Sequence, residues 1–512
     1  MALGDWISLT MKLFAINSLS GVVQAIVAAT VTLVSIPVII HAIGQEDYGI
    51  YCLVSIIGSL NSFSNLGINS ALTRYISSQG KSIESHYDIW VALLTVTLVG
   101  VLVAFAVISF KDMILLQLLS IPANSITKAS PLLIFMTISN VVLLIGQIFT
   151  ASLDGLSRIY LTSFTQMIYS IVYWGGMAFL TSAGYGIEYV GVPALGAAVV
   201  WLLLVLYYFF KNWGSLQYRG IALNFTRIFK KQLEYSLKLY ASGFIGFFYE
   251  PLTKIVISHY VGVSETGYYD LALRVKGQLA GIWGRILSPL YPYYAKKCGH
   301  ISQGRVNKSI QECLLLLLLP AAIIIVFIAF PLTQVWLDLH IPQVAFGIAG
   351  LATAYLLFSV PVIPPYHYMG ACGHPEVLIY AQAANVMINL FLLVVFLPIW
   401  GFYAIILGNM GAIFGSFILI LLFQWKILKK MPFNSIRDGL NLALLGGVCI
   451  ISALIIDMMI QAPLMKLFII PTGIFLIAGA LLTKLKILHS EELLVYTEDL
   501  PFLNSLLKAL AK

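Results

Sequence analysis

Apolar stretches of about 20 residues recur from one end of this chain to the other, each long enough to cross a bilayer core of roughly 30 Å as a helix. Inside hydrocarbon, backbone N–H and C=O groups find no water, so such stretches fold as helices that satisfy their own hydrogen bonds. The charge content points the same way. Only 10% of the 512 residues are charged, against roughly 25% in soluble domains, and 60% are hydrophobic. A large water-soluble enzyme is excluded. The first stretch, MALGDWISLTMKLFAINSLSGVV, shows no short apolar core ending in a small-residue cleavage site, so a cleaved signal peptide is not expected. Five scattered cysteines (Cys52, Cys298, Cys313, Cys372, Cys449) imply neither a disulfide framework nor a metal site.

The pattern predicts an all-α polytopic membrane protein with fourteen spans, near 16–40, 50–72, 88–110, 130–151, 160–182, 189–210, 238–261, 267–291, 310–335, 344–368, 376–397, 402–425, 439–459 and 465–483. Charge alternates between successive connections. One set holds Arg74, Lys81, Arg158, Lys211, Arg219, Arg227, Lys230, Lys231, Lys296, Lys297, Arg305, Lys308, Lys426, Lys429, Lys430 and Arg437. The other holds little beyond Lys111, Lys128 and Lys466, together with Glu46, Asp47, Glu188, Glu265 and Asp338. Positive charge gathers on the cytoplasmic side, which places both termini there. The net charge of +8 is thus mostly a topology signal, and its spread over short loops argues against a nucleic-acid partner. No P-loop is present, so transport must run on an ion gradient, the membrane potential or the substrate gradient.

A polar string between apolar segments is written twice. HAIGQEDYGIY (41–51) and HYVGVSETGYY (259–269) are offset by 218 positions, with His41/His259, Gly44/Gly262, Gly49/Gly267 and Tyr51/Tyr269 in register. Each copy reads as a tight outward hairpin capping the first two helices of a lobe. A fainter echo links SLDGLSRIYLTSFTQ (152–166) to YMGACGHPEVLIYAQ (368–382). A shift of six spans returns the chain to the same side, so two six-helix lobes related by a pseudo-two-fold axis along the membrane normal are expected, with substrate bound near the midplane between them. The domains would be residues 1–212, a basic cytoplasmic linker at 213–236, residues 237–426, and two appended helices with a tail at 427–512.

The stretch IGQEDYGIYCLVSIIGSLNSFSNLGINSALTRYIS (43–77) resembles the first-hairpin signature of polysaccharide-exporting lipid flippases, at Gly44, Tyr48, Gly49, Leu66, Gly67, Ala71, Arg74 and Tyr75. These are the Wzx-type branch of the multidrug/oligosaccharidyl-lipid/polysaccharide exporter superfamily. The helix number, the lobe repeat and GACGHPEVLIYAQAANVMINLFLLVVFLPIWGFYAIILGNMGA (370–412) are similar too, and the likeness covers roughly residues 10–425. The resemblance implies a MATE-like fold in a bacterial inner membrane. It also implies movement of an undecaprenyl-pyrophosphate-linked oligosaccharide such as an O-antigen unit. Membrane lipids, a coupling H+ or Na+, and a polymerase with its chain-length machinery would be the partners. No cofactor, metal or catalytic residue is implied.

Charge within the bilayer costs about 2.5–3.5 kcal/mol per residue on insertion scales, so it usually faces a cavity or a partner. Span 7 carries Glu250 and Lys254 four residues apart, near Gly243 and Gly246, with Pro251 expected to loosen the backbone. On span 8, Asp270, Arg274, Gln278, Gly281 and Arg285 fall within about 80° of arc, and Lys276 points nearly the opposite way. The two arginines stand about 16 Å apart along the axis. Their planar forks suit a pyrophosphate. Substrate-binding candidates are therefore Arg274, Arg285, Lys254, Lys276 and Arg74, with Glu250 and Asp270 as gating or coupling groups. Two bland alternatives stand beside these: Glu250–Lys254 and Asp270–Arg274 as helix-stabilising ion pairs, and Arg74 as a topology anchor. Asn61, Asn65 and Asn69 form one stripe that suits sugar hydroxyls or helix–helix hydrogen bonds equally, and Gln278 is a further polar candidate.

The residues thus favour a lipid-linked oligosaccharide flippase. A drug or metabolite antiporter of the same superfamily would want an acidic cavity, whereas here cations outnumber acids. A membrane polymerase or ligase would want a sizeable outer loop, and no outward loop exceeds about 20 residues.

Overall fold

In the computed structural model, residues 3–484 are described, apart from 60–64, 66, 219–220, 222–223, 235, 237–247, 288–289, 297–302, 339 and 430–435. The described residues are helical almost throughout and contain no strand. Ten helices among them are long and apolar enough to cross a membrane. These ten match the expected spans 1, 3, 4, 6 and 9–14. Of the remaining four, the helix at 159–182 is interrupted by a π-helical turn, Ile171–Gly175. Spans 2 and 7 fall partly on residues outside the description. The eighth is one continuous helix, Val263–Leu287, whose charges lower its hydropathy.

The chain forms two compact units, residues 1–267 and 268–512. The first contains α1 (Leu3–Val54), α2 (Ile68–Gln79), α3 (Ile83–Ser109), α4 (Ile126–Gly155), α5 (159–182), α6 (Gly191–Trp213), a short linker helix α7 (224–234) and α8 (Tyr249–Tyr260). Its core joins Leu72 and Ile76 of α2, Ile89 and Val96 of α3, Leu144 of α4 and Trp201 of α6. In lipid there is no hydrophobic drive between helices, so close van der Waals packing has to hold such a core.

In the first copy of the repeated string, two helices meet within α1 at Gly44, whose backbone is non-helical (φ +86°, ψ 168°). The second copy breaks at Gly262, φ +152°, before α9 (Val263–Leu287) begins. Only glycine visits such angles at low cost, so the shared glycine marks a shared bend. The next shared glycine has a different role. A Cβ on Gly49 would lie 2.1 Å from the Val263 carbonyl oxygen, and one on Gly267 would lie 3.4 Å from Gly49 Cα. The two copies therefore meet backbone to backbone through their glycines. The fainter echo also reaches the backbone: Ser157 and Gly373, in register within it, both have positive φ (60° and 88°) just before a helix.

The second unit contains most of α9, then α10 (Leu290–Lys296), α11 (Gln303–Leu337), α12 (Pro342–Ala371), α13 (Pro375–Trp400), α14 (Phe402–Leu428), α15 (Ile436–Met459) and α16 (Pro463–Lys484). One core gathers Leu287, Tyr294, Ile310, Leu356 and Met369. Another packs α15 and α16 against α11 through Leu316, Ile323, Leu445 and Ile474. Cys372 is disulfide-bonded, a pairing that the scattered cysteines do not signal, while Cys52, Cys313 and Cys449 are buried.

Candidate functional site

The charged face of α9 is the centre of the candidate site. The helix is unbroken, so Asp270, Arg274, Gln278 and Arg285 do share one side. Its first half is packed, with Tyr269, Asp270, Leu271 and Ala272 all buried. Its second half is more exposed: a Cβ added at Gly277, Gly281 or Gly284 would meet nothing within 4 Å among the described residues. Three bare glycines thus border the arginine stripe. Arg274 Nε donates to Asp270 Oδ2 at 2.6 Å, so the ion-pair reading of these two has its geometry. Arg285 and Lys276 are half-buried further along the same helix.

On α8, Glu250 is exposed and Lys254 half-buried. Pro251 lies in the first turn of α8 as described, a position that tolerates a missing N–H, and the backbone one turn earlier, the place of the expected loosening, lies outside the described residues. Arg74 is exposed on α2. Asn61, Gly243 and Gly246 lie outside the described residues. Asn65 and Asn69 both donate to Gln147 Oε1 on α4, at 3.2 and 3.1 Å, while Asn69 Oδ1 is buried with no partner among the described residues. The stripe therefore ties α2 to α4 and keeps one acceptor to offer.

Two polar networks escape a reading from hydropathy. In the first unit, the buried Asp88 carboxylate meets Lys231 Nζ at 3.6 Å, and Gln232 Nε2 donates to its carbonyl and carboxylate at 2.9 and 3.3 Å. Gln79, with its amide turned to satisfy both, bridges Asp88 and Lys231. Lys231 also stands 3.9 Å over the Tyr75 ring, whose hydroxyl donates to the Lys231 carbonyl. The linker helix α7 is thereby fastened to the ends of α2 and α3. In the second unit, Tyr269 donates to Asn409 Oδ1 at 2.9 Å and Asn409 donates to Asn389, all three buried.

The sequence pattern of the polysaccharide biosynthesis protein family matches residues 14–297, more than half of the chain. This protein belongs to that family. Among solved structures, lipid II flippase MurJ in an inward closed conformation is similar with a TM-score of 0.72, at 14% identity, over 91% of this chain and 98% of that one. A ligand-bound structure of the MATE multidrug transporter DinF-BH gives 0.61 at 14% identity, over 81% and 95%. An inward-facing multidrug resistance MATE family transporter of the MOP superfamily gives 0.54 at 13%, over 81% and 94%. At such identities the likeness is one of fold. No curated protein sequence matches. The polysaccharide biosynthesis protein described here is thus a multi-pass membrane protein whose structural neighbours are a flippase and transporters rather than enzymes.

Proposed function

We propose that the protein moves an undecaprenyl-pyrophosphate-linked oligosaccharide, an O-antigen or other surface-polysaccharide unit, from the inner to the outer leaflet of a bacterial cytoplasmic membrane by alternating access. The observation that carries this reading is the α9 face, with Arg274 and Arg285 beside the bare Gly277, Gly281 and Gly284. Two guanidinium groups about 16 Å apart are too far from each other to grip one pyrophosphate together. They would instead hold it at successive depths, each through bidentate hydrogen bonds, while the polyprenyl chain stays in lipid. Lys254, Lys276 and Arg74 would add positive charge along the route. Asn65, Asn69 and Gln278 would meet sugar hydroxyls. Both termini would be cytoplasmic, and a polymerase would receive the exported unit.

Arg285→Gln tests this most directly, because Arg285 stands beside Gly281 and Gly284 on the α9 face. Losing one charge-assisted contact of about 1.5–3 kcal/mol should slow flipping roughly 10- to 100-fold. In cells, the lipid-linked oligosaccharide should build up on the cytoplasmic leaflet. Single units accumulating on the outer leaflet would point to a polymerase, and an unchanged distribution would remove Arg285 from the route.

Glu250, an acid on a cation-rich path, is proposed as the group that couples transport to H+ or Na+. Glu250→Gln should uncouple flipping from the ion gradient in proteoliposomes while leaving substrate binding intact. Unaltered rates and unaltered gradient dependence would withdraw that role.

A further inference from the structure

Midway along the second unit, α12 stops being an α-helix. Pro342–Ala354 passes into a π-helical turn, Tyr355–Ser359, then a 3-10 turn, Val360–Val362, before Ile363–Ala371 resumes. Pro361, Pro364 and Pro365 account for the break, since each lacks an N–H and crowds the carbonyl one turn back. At membrane depth, irregular backbone is tolerated only where it is buried in protein or borders a wet cavity. Here it borders a cavity. A pocket of about 210 Å³ is walled by α12, α13 and α14. Asn385 is the eleventh residue of the 26-residue α13 and Ser416 the fifteenth of the 27-residue α14, which puts the pocket near the middle of both helices.

The lining is largely apolar, with Ser359, Tyr366, Gln382, Asn385 and Ser416 as its polar side chains and, among the described residues, no acid, histidine, lysine or arginine. Phe358, Tyr366 and Phe417 supply aromatic rings, and Gln382 supplies a second amide. Ser416 donates to the Ala381 carbonyl at 3.1 Å, so its oxygen can still accept. Asn385 Oδ1 is buried with no partner among the described residues. A buried amide oxygen left without a hydrogen bond is costly and uncommon in native proteins, and it marks a place where a polar group docks.

We propose that this pocket binds one uncharged sugar ring. A pyranose has an apolar C–H face, which suits the aromatic walls, and a rim of hydroxyls that both donate and accept, which suits two amides and two serines. A bare cation would face amide donors without a carboxylate. The volume corresponds to about seven waters at ~30 Å³ each, room for a single ring rather than a chain. The proposal rests on the reading that the cargo carries sugars, yet it concerns residues distinct from the α9 face.

The test uses the full chain in lipid nanodiscs, in sodium-free buffer. Saturation-transfer NMR is recorded with the methyl glycosides of glucose, galactose and N-acetylglucosamine as probes. At least one glycoside should take up saturation from the wild type. Its signal should fall at least fivefold in Asn385→Leu and in Gln382→Leu, each checked for an unshifted melting temperature, and should persist in Arg285→Gln. No glycoside signal overturns the proposal. So does a signal equal in wild type and both variants. If depleting the protein leaves the lipid distribution unchanged while the glycoside signal follows Asn385, the flippase reading fails and the pocket stands; the reverse pattern removes the pocket only.

Discussion

Gly49→Val should abolish the folded protein. The first atom of the new side chain would sit 2.1 Å from the Val263 carbonyl oxygen and 2.7 Å from its carbon, both backbone atoms at the start of α9. Overpacking against movable side chains costs typically 1–3 kcal/mol. No rotamer relieves a clash with backbone, so the cost here should exceed ~3 kcal/mol unless α1 and α9 part. Gly267→Ala should be far milder, since its Cβ would meet the Tyr48 ring edge at 3.2 Å. Gly44→Ala tests the other role of the repeat. Nothing lies within 4 Å of its Cβ, but φ is +86° and ψ 168°, a region essentially reserved for glycine, which costs an alanine about 1–3 kcal/mol. Monodisperse elution of detergent extracts, followed by thermal melts, should show Gly49→Val as by far the most damaging of the three. A Gly49→Val protein that elutes and melts like wild type would show that the two copies do not meet there.

Lys231→Met should be the next most damaging change. It would strand the Asp88 carboxylate, whose side chain is 1% exposed, with only the neutral amides of Gln79 and Gln232 to face it. Removing one partner of a buried pair costs about 3–5 kcal/mol. Asp88→Asn should cost less, because the Lys231 side chain is 36% exposed and water recovers part of what the ammonium loses. The double variant should be more stable than Lys231→Met alone, a coupling that a double-mutant cycle in thermal unfolding measures. Faster amide exchange across 224–234 in Lys231→Met would place the loss at the linker helix. Glu84→Gln serves as control: its partner Arg227 and Glu84 itself are both largely exposed, so about 0–1 kcal/mol is at stake. Equal stability of Lys231→Met and wild type would mean that α7 is held by something other than this pair.

Hydropathy alone reveals the helices whose windows are uniformly apolar, and the bare order of residues gives away the repeat, because both are properties of consecutive residues. The helical period places Asp270, Arg274 and Arg285 on one face correctly, because an unbroken helix keeps that period fixed. Such reading fails where packing partners are distant in sequence. Nothing around Asp88 announces that Lys231 and Gln232 will close over it, and nothing around Asn65 and Asn69 announces Gln147. The acids of the repeated string draw attention, yet its glycines carry the geometry, one by its dihedral angle and one by lacking a Cβ. The break in α12 is legible in principle: Pro361, Pro364 and Pro365 within five residues cannot all be accommodated in a regular helix. What no pattern could show is that Asn385 and Ser416 converge on that break.

The offset of 218 also allows the perimeters of the two halves to be compared position by position. Leu98 and Phe105 on α3 are 61% and 71% exposed, while their counterparts Leu316 and Ile323 on α11 are 2% and 7% exposed beneath α15 and α16. Lipid tails are as apolar as leucine, so covering α11 gains no hydrophobic energy. The appended pair therefore works as a partition: on one half it substitutes a fixed protein wall for the shifting annulus of lipid that the other half keeps. Changes in acyl-chain length or fluidity then reach Leu98 and Phe105 of α3 directly, whereas their counterparts in the repeat, Leu316 and Ile323 of α11, meet α15 and α16 instead.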